Sequence, residues 1–307
     1  MNATIPTADL PDRPVLLDGG MGRELRRRGV HVSEIIWSAS GLIEAPEVVR
    51  QIHADFIEAG ADIITINTYG VIRDDLARAG IEERFAELNR LACRLAEEAR
   101  AAGGREVLIA GSLPPLHGSY RPDRVAPFAE IEPRYREHAE LLAPHVDLLI
   151  CETMSSAAEA LAAATAACST DKPVWVGWTL HEDRSGRLRS GETVAEAAAT
   201  IAHLPVSGFL ANCCAPESIT AAMPALAGLG PWPAGGYANT FKPVPKDWTL
   251  DGEKPSDGIS PLRDDLDPDA YAAHARDWIA AGARLIGGCC GTTPAHIARL
   301  RGLIDGY

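Results

Sequence analysis

Residues 283–303 read ARLIGGCCGTTPAHIARLRGL and form one complete strand–loop–helix unit. The run Ala283–Gly288 is short and mostly apolar, which is typical of a parallel strand buried on both faces. Pro294 then begins a stretch, Pro294–Leu303, whose apolar residues recur at helical spacing. Cys289 and Cys290 lie between the two, flanked by glycines. Such a unit is one eighth of a (β/α)8 barrel, so a barrel requires seven more like it.

Seven further apolar runs precede this one, separated mostly by longer stretches with helical spacing. The predicted strands are Pro14–Leu17, Asp62–Asn67, Glu106–Gly111, Val146–Cys151, Val174–Leu180, Ser207–Asn212 and Pro233–Ala238. The predicted helices are Glu44–Ala59, Asp74–Ala102, Phe128–Ala143, Ser155–Cys168, Glu192–His203, Pro216–Leu229 and Asp267–Ala281. This alternation predicts an α/β fold, a (β/α)8 TIM barrel. A doubly wound sheet is the alternative, although the first run is followed by DGGMG and not by GxGxxG.

Two segments fall outside the alternation. We expect residues 1–13 to be a loose N-terminal tail. The stretch Phe241–Pro268 is rich in proline and charge and has no apolar period. It is predicted to be a long loop after the seventh strand, on the face where barrel enzymes carry their active sites. Neither segment is a linker between domains, so residues 1–307 are predicted to form a single domain.

Composition excludes several classes of protein. The chain has 307 residues, 46% of them hydrophobic and 23% charged, which is ordinary for a globular protein. Its net charge of −13 argues against nucleic acid or anionic membrane as the main partner. No stretch is apolar enough to span a membrane, and the N-terminus has no signal-peptide pattern, so a cytoplasmic location is expected. The seven cysteines are then not expected to be a disulfide framework.

Polar and sulfur-bearing residues follow the predicted strands. Barrel enzymes place their chemistry at these strand ends. Cys213 or Cys214 follows the sixth strand, and Cys289 and Cys290 follow the eighth. Three thiolates from two strands indicate a zinc site whose fourth position is open, as in catalytic sites. The alternative is buried, inert cysteine, which is our interpretation of Cys93, Cys151 and Cys168.

The sequence resembles the zinc-dependent homocysteine S-methyltransferases. This family includes the S-methylmethionine- and betaine-dependent enzymes and the homocysteine module of cobalamin-dependent methionine synthase. The motifs that carry the resemblance are LLDGGMG at 16–22, IIWSASGLIEAPEVV at 35–49, ADIITINTY at 61–69, CET at 151–153, ANC at 211–213 and IGGCCGTTPAHI at 286–297. They cover nearly the whole chain. The resemblance implies a (β/α)8 barrel that transfers a methyl group from a sulfonium or ammonium donor to homocysteine, giving methionine. S-methylmethionine, S-adenosylmethionine and betaine are the donors it implies.

The resemblance also implies roles for individual residues. The zinc ligands implied are Cys213, Cys289 and Cys290, with Cys214 an extra thiol. The homocysteine-binding elements implied are the backbone of Asp18, Gly19 and Gly20 and the carboxylate of Glu152, which would hold the substrate ammonium. Further contacts with substrate or donor are expected from Trp37, Thr68 and Asn239. Each of these has a structural alternative, such as a strand-end cap for Asp18, an ion pair for Glu152 or loop packing for Trp37.

The chain departs from the family pattern at two places. Gly291 follows the two cysteines where many relatives have arginine, and YANTFKPVP follows the seventh strand where S-methylmethionine-type members tend toward Pro-Asn-Ser-Gly-Glu. The sequence names neither the methyl donor nor the oligomeric state, so a homo-oligomer is left open. A non-catalytic barrel that senses zinc or thiol oxidation is the alternative function, and a phosphate-binding barrel enzyme is a third.

Overall fold

The computed structural model describes residues 11–242 and 261–307. Its strands are β1 (Val15–Leu16), β2 (Ile63–Thr65), β3 (Leu108–Leu113), β4 (Leu148–Met154), β5 (Val174–Trp178), β6 (Gly208–Asn212), β7 (Ala234–Ala238) and β8 (Leu285–Gly288). From β2 to β8 each strand pairs in parallel with the next, and β8 pairs in parallel with β1. A parallel bridge between Leu17 and Ile63 brings the first strand to the second. The sheet therefore curls into a ring, which confirms the barrel and excludes the open doubly wound alternative.

The strands are buried on both faces, as their continuous apolar runs predict. One set of side chains fills the barrel interior, including Leu17, Ile63, Trp175 and Leu285. The alternate side chains pack outward against the helices and join one large core. At Gly208 a Cβ atom would lie only 2.8 Å from Cδ1 of Trp175, so the glycine makes room for the indole inside the barrel.

The helices in the described ranges are α1 (Met21–Arg27), α2 (Ser40–Glu44), α3 (Pro46–Glu58), α4 (Arg73–Arg78), α5 (Phe85–Ala102), α6 (Phe128–Leu142), α7 (Ala157–Cys168), α8 (Val194–Ile201), α9 (Pro216–Ala227), α10 (Pro268–Ala280) and α11 (Pro294–Ile304).

The prediction of one helix over Asp74–Ala102 is wrong, because the chain turns at Gly80, whose φ is +74°. The Ile81 amide donates to the Leu76 carbonyl at 2.8 Å and closes α4 there. The sequence pattern predicts neither α1 nor α2, because both are too short to show a helical period. None of the helices in these ranges is long and apolar enough to cross a membrane.

The two segments outside the alternation are only partly described. Of the expected tail, residues 1–10 lie outside the described residues, and Arg13 forms two hydrogen bonds of 2.7 and 3.0 Å with the Asp62 carboxylate. Of the expected loop Phe241–Pro268, residues 243–260 lie outside the described residues. Its two ends meet in an antiparallel bridge between Phe241 and Leu262.

Asp62, which precedes β2, ties three parts of the barrel together. Its carboxylate accepts hydrogen bonds from Arg13, from Arg301 of α11 at 3.1 Å and from the Leu16 amide at 3.0 Å. Burial opposes ionisation of this carboxyl, but the hydrogen bonds and the arginine charges outweigh it and lower its pKa. Since the folded-state pKa lies below the unfolded value, the carboxylate stabilises the fold above about pH 4, and this contribution is lost as pH falls further.

We expect Asp62→Asn to lower the free energy of unfolding at pH 7 by about 2–4 kcal/mol, because it removes the charge that pairs with Arg13 and Arg301. Urea denaturation at pH 7 measures this loss. Asp269→Asn is the matched control: its exposed carboxylate pairs only with Arg299 among the described residues, so a change below about 0.5 kcal/mol is expected. Equal effects of the two substitutions would contradict the anchoring role of Asp62.

Candidate metal and substrate site

Three thiols meet at the carboxyl end of the barrel. Cys213 directly follows β6, and Cys289 and Cys290 directly follow β8. Their sulfur atoms all lie within 4.8 Å of one another, and no other group of ligand-bearing side chains this close occurs in the described ranges. Cys214, in contrast, is fully buried in the core on the other side of the strand end and is not part of the group. The structure thus brings together the three cysteines expected to be metal ligands.

Backbone conformation sets the positions of these thiols. Cys213 adopts a left-handed φ of +54°, and its carbonyl accepts a hydrogen bond from the Thr179 hydroxyl at 3.2 Å. The glycines around the other pair allow close packing: a Cβ on Gly20 would lie 2.6 Å from the carbonyl oxygen of Cys289. Gly291 has a φ of +88° and turns the chain away from Cys290. Glycine at position 20 allows the close approach, and glycine at position 291 adopts its positive φ without strain.

The three sulfurs are close enough to share hydrogen bonds. Hydrogen bonds from the Cys289 and Cys290 thiols hold the pKa of Cys213 well below its ordinary value. The thiols that donate these bonds have pKa values well above the ordinary value. A metal cation would take the place of the shared protons.

Two buried carboxyl groups lie in the same cavity. Burial raises the pKa of Glu152 to about 7, and its oxygens accept hydrogen bonds from the Ser112 hydroxyl and, at 3.2 Å, from the Tyr237 hydroxyl. Burial also raises the pKa of Asp18 to about 8, although the Thr65 amide donates to it at 2.8 Å. A cationic ligand bound beside these carboxyl groups would favour their ionised forms.

The thiols and carboxyls line one cavity of about 170 Å³. Of the residues expected to bind substrate, the cavity is lined by Asp18, Gly19, Gly20, Trp37 and Glu152. The lining residues that the sequence analysis does not single out include Arg23, Arg26, Tyr69, Ser119, Tyr120, Tyr237 and Phe241. Tyr237 could have been predicted from the sequence, because it lies on a predicted strand whose side chains alternate into the barrel interior. The others lie on loops or on a short helix that no sequence period marks.

Thr68 and Asn239 do not line the cavity. Thr68 is fully buried, and its hydroxyl donates to the Ser112 carbonyl at 3.1 Å. Asn239 is also buried, and its Oδ1 accepts a hydrogen bond from the Cys290 amide at 3.1 Å. Asn239 thus supports Cys290, which lines the cavity, whereas Thr68 supports Ser112, whose hydroxyl bonds to Glu152. Direct contact with substrate stays a prediction for both.

The chain is similar to known proteins over almost its full length. Residues 15–304 match the family model described as homocysteine S-methyltransferase. A homocysteine S-methyltransferase of Escherichia coli (strain K12) is 35% identical, and the alignment covers 94% of each chain. The homocysteine S-methyltransferase YbgG of Bacillus subtilis (strain 168) is 28% identical, with 93% of each chain covered. The metallated form of the homocysteine methyltransferase MmuM from Escherichia coli superposes with a TM-score of 0.78 at 31% identity, covering 95% of this chain and 96% of that one.

Proposed function

Because this chain belongs to the homocysteine S-methyltransferase family, it is an enzyme that transfers a methyl group to homocysteine, and we propose that it does so on a zinc ion bound by Cys213, Cys289 and Cys290. The non-catalytic sensor and the phosphate-binding enzyme are therefore not retained. One observation carries the proposal: three thiol sulfurs within 4.8 Å of one another line a cavity that also holds two buried carboxyl groups.

The three thiols fit a zinc ion. Zinc binds thiolate sulfur at about 2.3 Å in tetrahedral geometry, so two sulfurs on one ion lie about 3.8 Å apart. The sulfurs here lie within 4.8 Å of one another, and no fourth histidine, cysteine or carboxylate joins them among the described residues. Soft thiolate ligands favour zinc over magnesium or calcium. Three protein ligands leave one position for the substrate.

A zinc ion bound by these thiolates would hold the homocysteine sulfur in that position as a thiolate, which is the nucleophile that methyl transfer requires. The thiol proton would be released when the sulfur binds the metal. The thiolate would then attack the methyl carbon of the donor, and the bond from that carbon to the donor's sulfonium sulfur or ammonium nitrogen would break with its electron pair left on that atom. Methionine and a donor product whose sulfur or nitrogen is no longer positively charged would result. The methyl transfer itself moves no proton, and no histidine of the described ranges lines the cavity, so we assign no general base.

Glu152 and Asp18 are proposed to orient homocysteine in the cavity. Their carboxyl groups are the only acidic side chains that line the cavity in the described residues, and burial makes ionisation of each unfavourable without a cation nearby. The α-ammonium of homocysteine is such a cation. We propose that it binds Glu152, with Asp18 adding to the negative potential, while Gly19 and Gly20 form the adjacent wall. The amino group and the sulfur are then both held, which fixes the direction in which the thiolate can attack.

The donor is proposed to enter along the aromatic wall. Trp37, Tyr120 and Phe241 line the cavity, and Trp37 is held with a left-handed φ of +51°. A sulfonium or quaternary ammonium group over an indole face gains about 0.5–2 kcal/mol. Aromatic walls also exclude water from the reacting atoms. We propose Trp37 as the residue that receives the cationic group of S-methylmethionine, S-adenosylmethionine or betaine.

Metal analysis combined with a donor screen tests this function. We expect about one zinc per chain in protein purified without chelators. Homocysteine with one of these three donors should yield methionine, and removal of zinc by a chelator should abolish the reaction until zinc is restored. Protein that transfers methyl groups equally well without metal would contradict the zinc proposal and leave the family assignment intact.

A further inference from the structure

The hydroxyl of Tyr120 contacts one of the three sulfurs directly. Its oxygen lies 2.9 Å from Sγ of Cys213, and both residues are buried. Both also have a left-handed backbone, with φ of +66° at Tyr120 and +54° at Cys213. Such a conformation costs a non-glycine residue about 1–3 kcal/mol, so the surrounding structure must hold it. Two strained residues therefore meet at this hydrogen bond.

A buried ion pair lies behind the tyrosine ring. The guanidinium carbon of Arg189 is 4.5 Å from the centre of the Tyr120 ring, which is a cation–π contact. The same guanidinium pairs with Glu182 at 2.9 Å, and the two side chains are only 5% and 11% exposed. The other oxygen of Glu182 accepts a hydrogen bond from the Ala215 amide at 2.9 Å, two residues after Cys213. These contacts connect the loop of Tyr120 to the loop of Cys213 by a second route.

We propose that Tyr120 is a positioning residue of the metal site, whose hydroxyl donates to the Cys213 sulfur while Arg189 and Glu182 hold its ring. The inference rests on the proposed zinc site. A metal-bound thiolate keeps lone pairs that can accept a hydrogen bond, and a donor at a fixed place sets the direction of the remaining lone pair toward the metal. Tyr120 is the only side-chain hydroxyl that forms a hydrogen bond with Sγ of Cys213 in the described ranges.

Tyr120→Phe tests the hydroxyl alone, because it keeps the ring and its contact with Arg189. We expect zinc affinity to fall by about 10- to 100-fold, as is typical for loss of an outer partner of a metal ligand. Competition with a chromophoric chelator measures this. The thiolate-to-cobalt charge-transfer band of the Co²⁺-substituted protein should also shift, because the sulfur loses a hydrogen bond. Tm of the metal-free protein should not change.

Tyr69→Phe is the matched control. Tyr69 lines the same cavity, but its hydroxyl bonds to the Ser119 hydroxyl at 2.6 Å, not to a sulfur. Its zinc affinity and cobalt spectrum should equal those of the wild type. A purely structural role for tyrosines in this cavity would instead give the two variants the same behaviour, with altered Tm and an unshifted cobalt band.

Arg189→Met tests the ion pair in a double-mutant cycle. If Tyr120→Phe does not fold, wild-type zinc affinity in Arg189→Met alone would overturn the inference. Arg189→Met should lower zinc affinity by a smaller factor than Tyr120→Phe, and the double variant should show no further loss, because Arg189 acts through the hydroxyl. Wild-type zinc affinity in both Tyr120→Phe and Arg189→Met would overturn this inference alone. If the wild-type enzyme transfers methyl groups without zinc, the proposed zinc site is wrong as well.

Discussion

Replacing Cys213 with alanine should abolish zinc binding and methyl transfer, whereas replacing Cys214 with alanine should leave both close to wild type. Only Cys213 contributes a sulfur to the group formed with Cys289 and Cys290. A four-ligand zinc site is worth about 10–16 kcal/mol, so one thiolate contributes about 3 kcal/mol or more. Zinc affinity should therefore fall by at least about 100-fold in Cys213→Ala. Metal content after gel filtration and methionine formation measure the two effects.

Cys214→Ala is the matched control for this experiment because it removes a neighbouring thiol that faces the core. The sulfur of Cys214 is fully buried, so its loss should cost about 1 kcal/mol of folding stability and no zinc. Cys289→Ser and Cys290→Ser should behave like Cys213→Ala while the barrel still folds. If Cys214→Ala loses zinc and Cys213→Ala retains it, then Cys214 and not Cys213 faces the other two thiols after β6.

Glu152→Gln should raise the KM for homocysteine by about 10- to 100-fold with unchanged zinc content. A hydrogen bond between a carboxylate and an ammonium contributes about 1.5–3 kcal/mol, and each 1.4 kcal/mol corresponds to a factor of ten. Glutamine keeps the shape but loses the charge, and its single amide oxygen can accept from only one of the Ser112 and Tyr237 hydroxyls. The KM for the donor should change little. A thiol acceptor without an amino group should have a higher KM than homocysteine in the wild type. In Glu152→Gln the two KM values should become similar.

The pH dependence provides a second measurement of the same residue. Burial raises the pKa of Glu152 to about 7, so its carboxylate is ionised above that pH and neutral below it. Wild-type kcat/KM for homocysteine should therefore decrease as pH falls through about 7, and Glu152→Gln should lack this decrease. Glu159→Gln is the control, because Glu159 is also buried with a pKa raised to about 7 but bonds to Ser155 in the core. Normal homocysteine binding by Glu152→Gln, or loss of its zinc, would show that the proposed substrate orientation is wrong.

Much of the fold and part of the site can be predicted from the sequence because the signals are local. Eight buried strands each leave a continuous apolar run, and parallel strands in a barrel have all their carboxyl ends on one rim. Residues that directly follow those runs, such as Asp18, Glu152 and Cys289, must then converge whatever the details of packing. The structure places these three around one cavity.

Features of the structure that no short stretch of sequence marks could not be predicted. The division of Asp74–Ala102 into two helices depends on Gly80, and α1 is too short to show a period. Tyr120 lies 93 positions before Cys213, and nothing in the residues around it marks its contact with a sulfur. Thr68 follows a strand as Asp18 does, yet its side chain turns into the protein and bonds to a carbonyl.

The sequence by itself therefore determined the barrel, the rim on which the chemistry lies and the set of cysteines from which metal ligands are drawn. The family resemblance already implied Cys213 as the ligand after β6, and the tertiary structure gave the physical reason: Cys213 faces the other two thiols, whereas Cys214 is buried in the core. It also decided that Glu152 and Asp18 lie buried in one cavity, where burial raises the pKa of both carboxyl groups. The physical reason is that ionisation and orientation depend on neighbours distant in sequence, whereas strand burial is recorded in the residues of the strand itself.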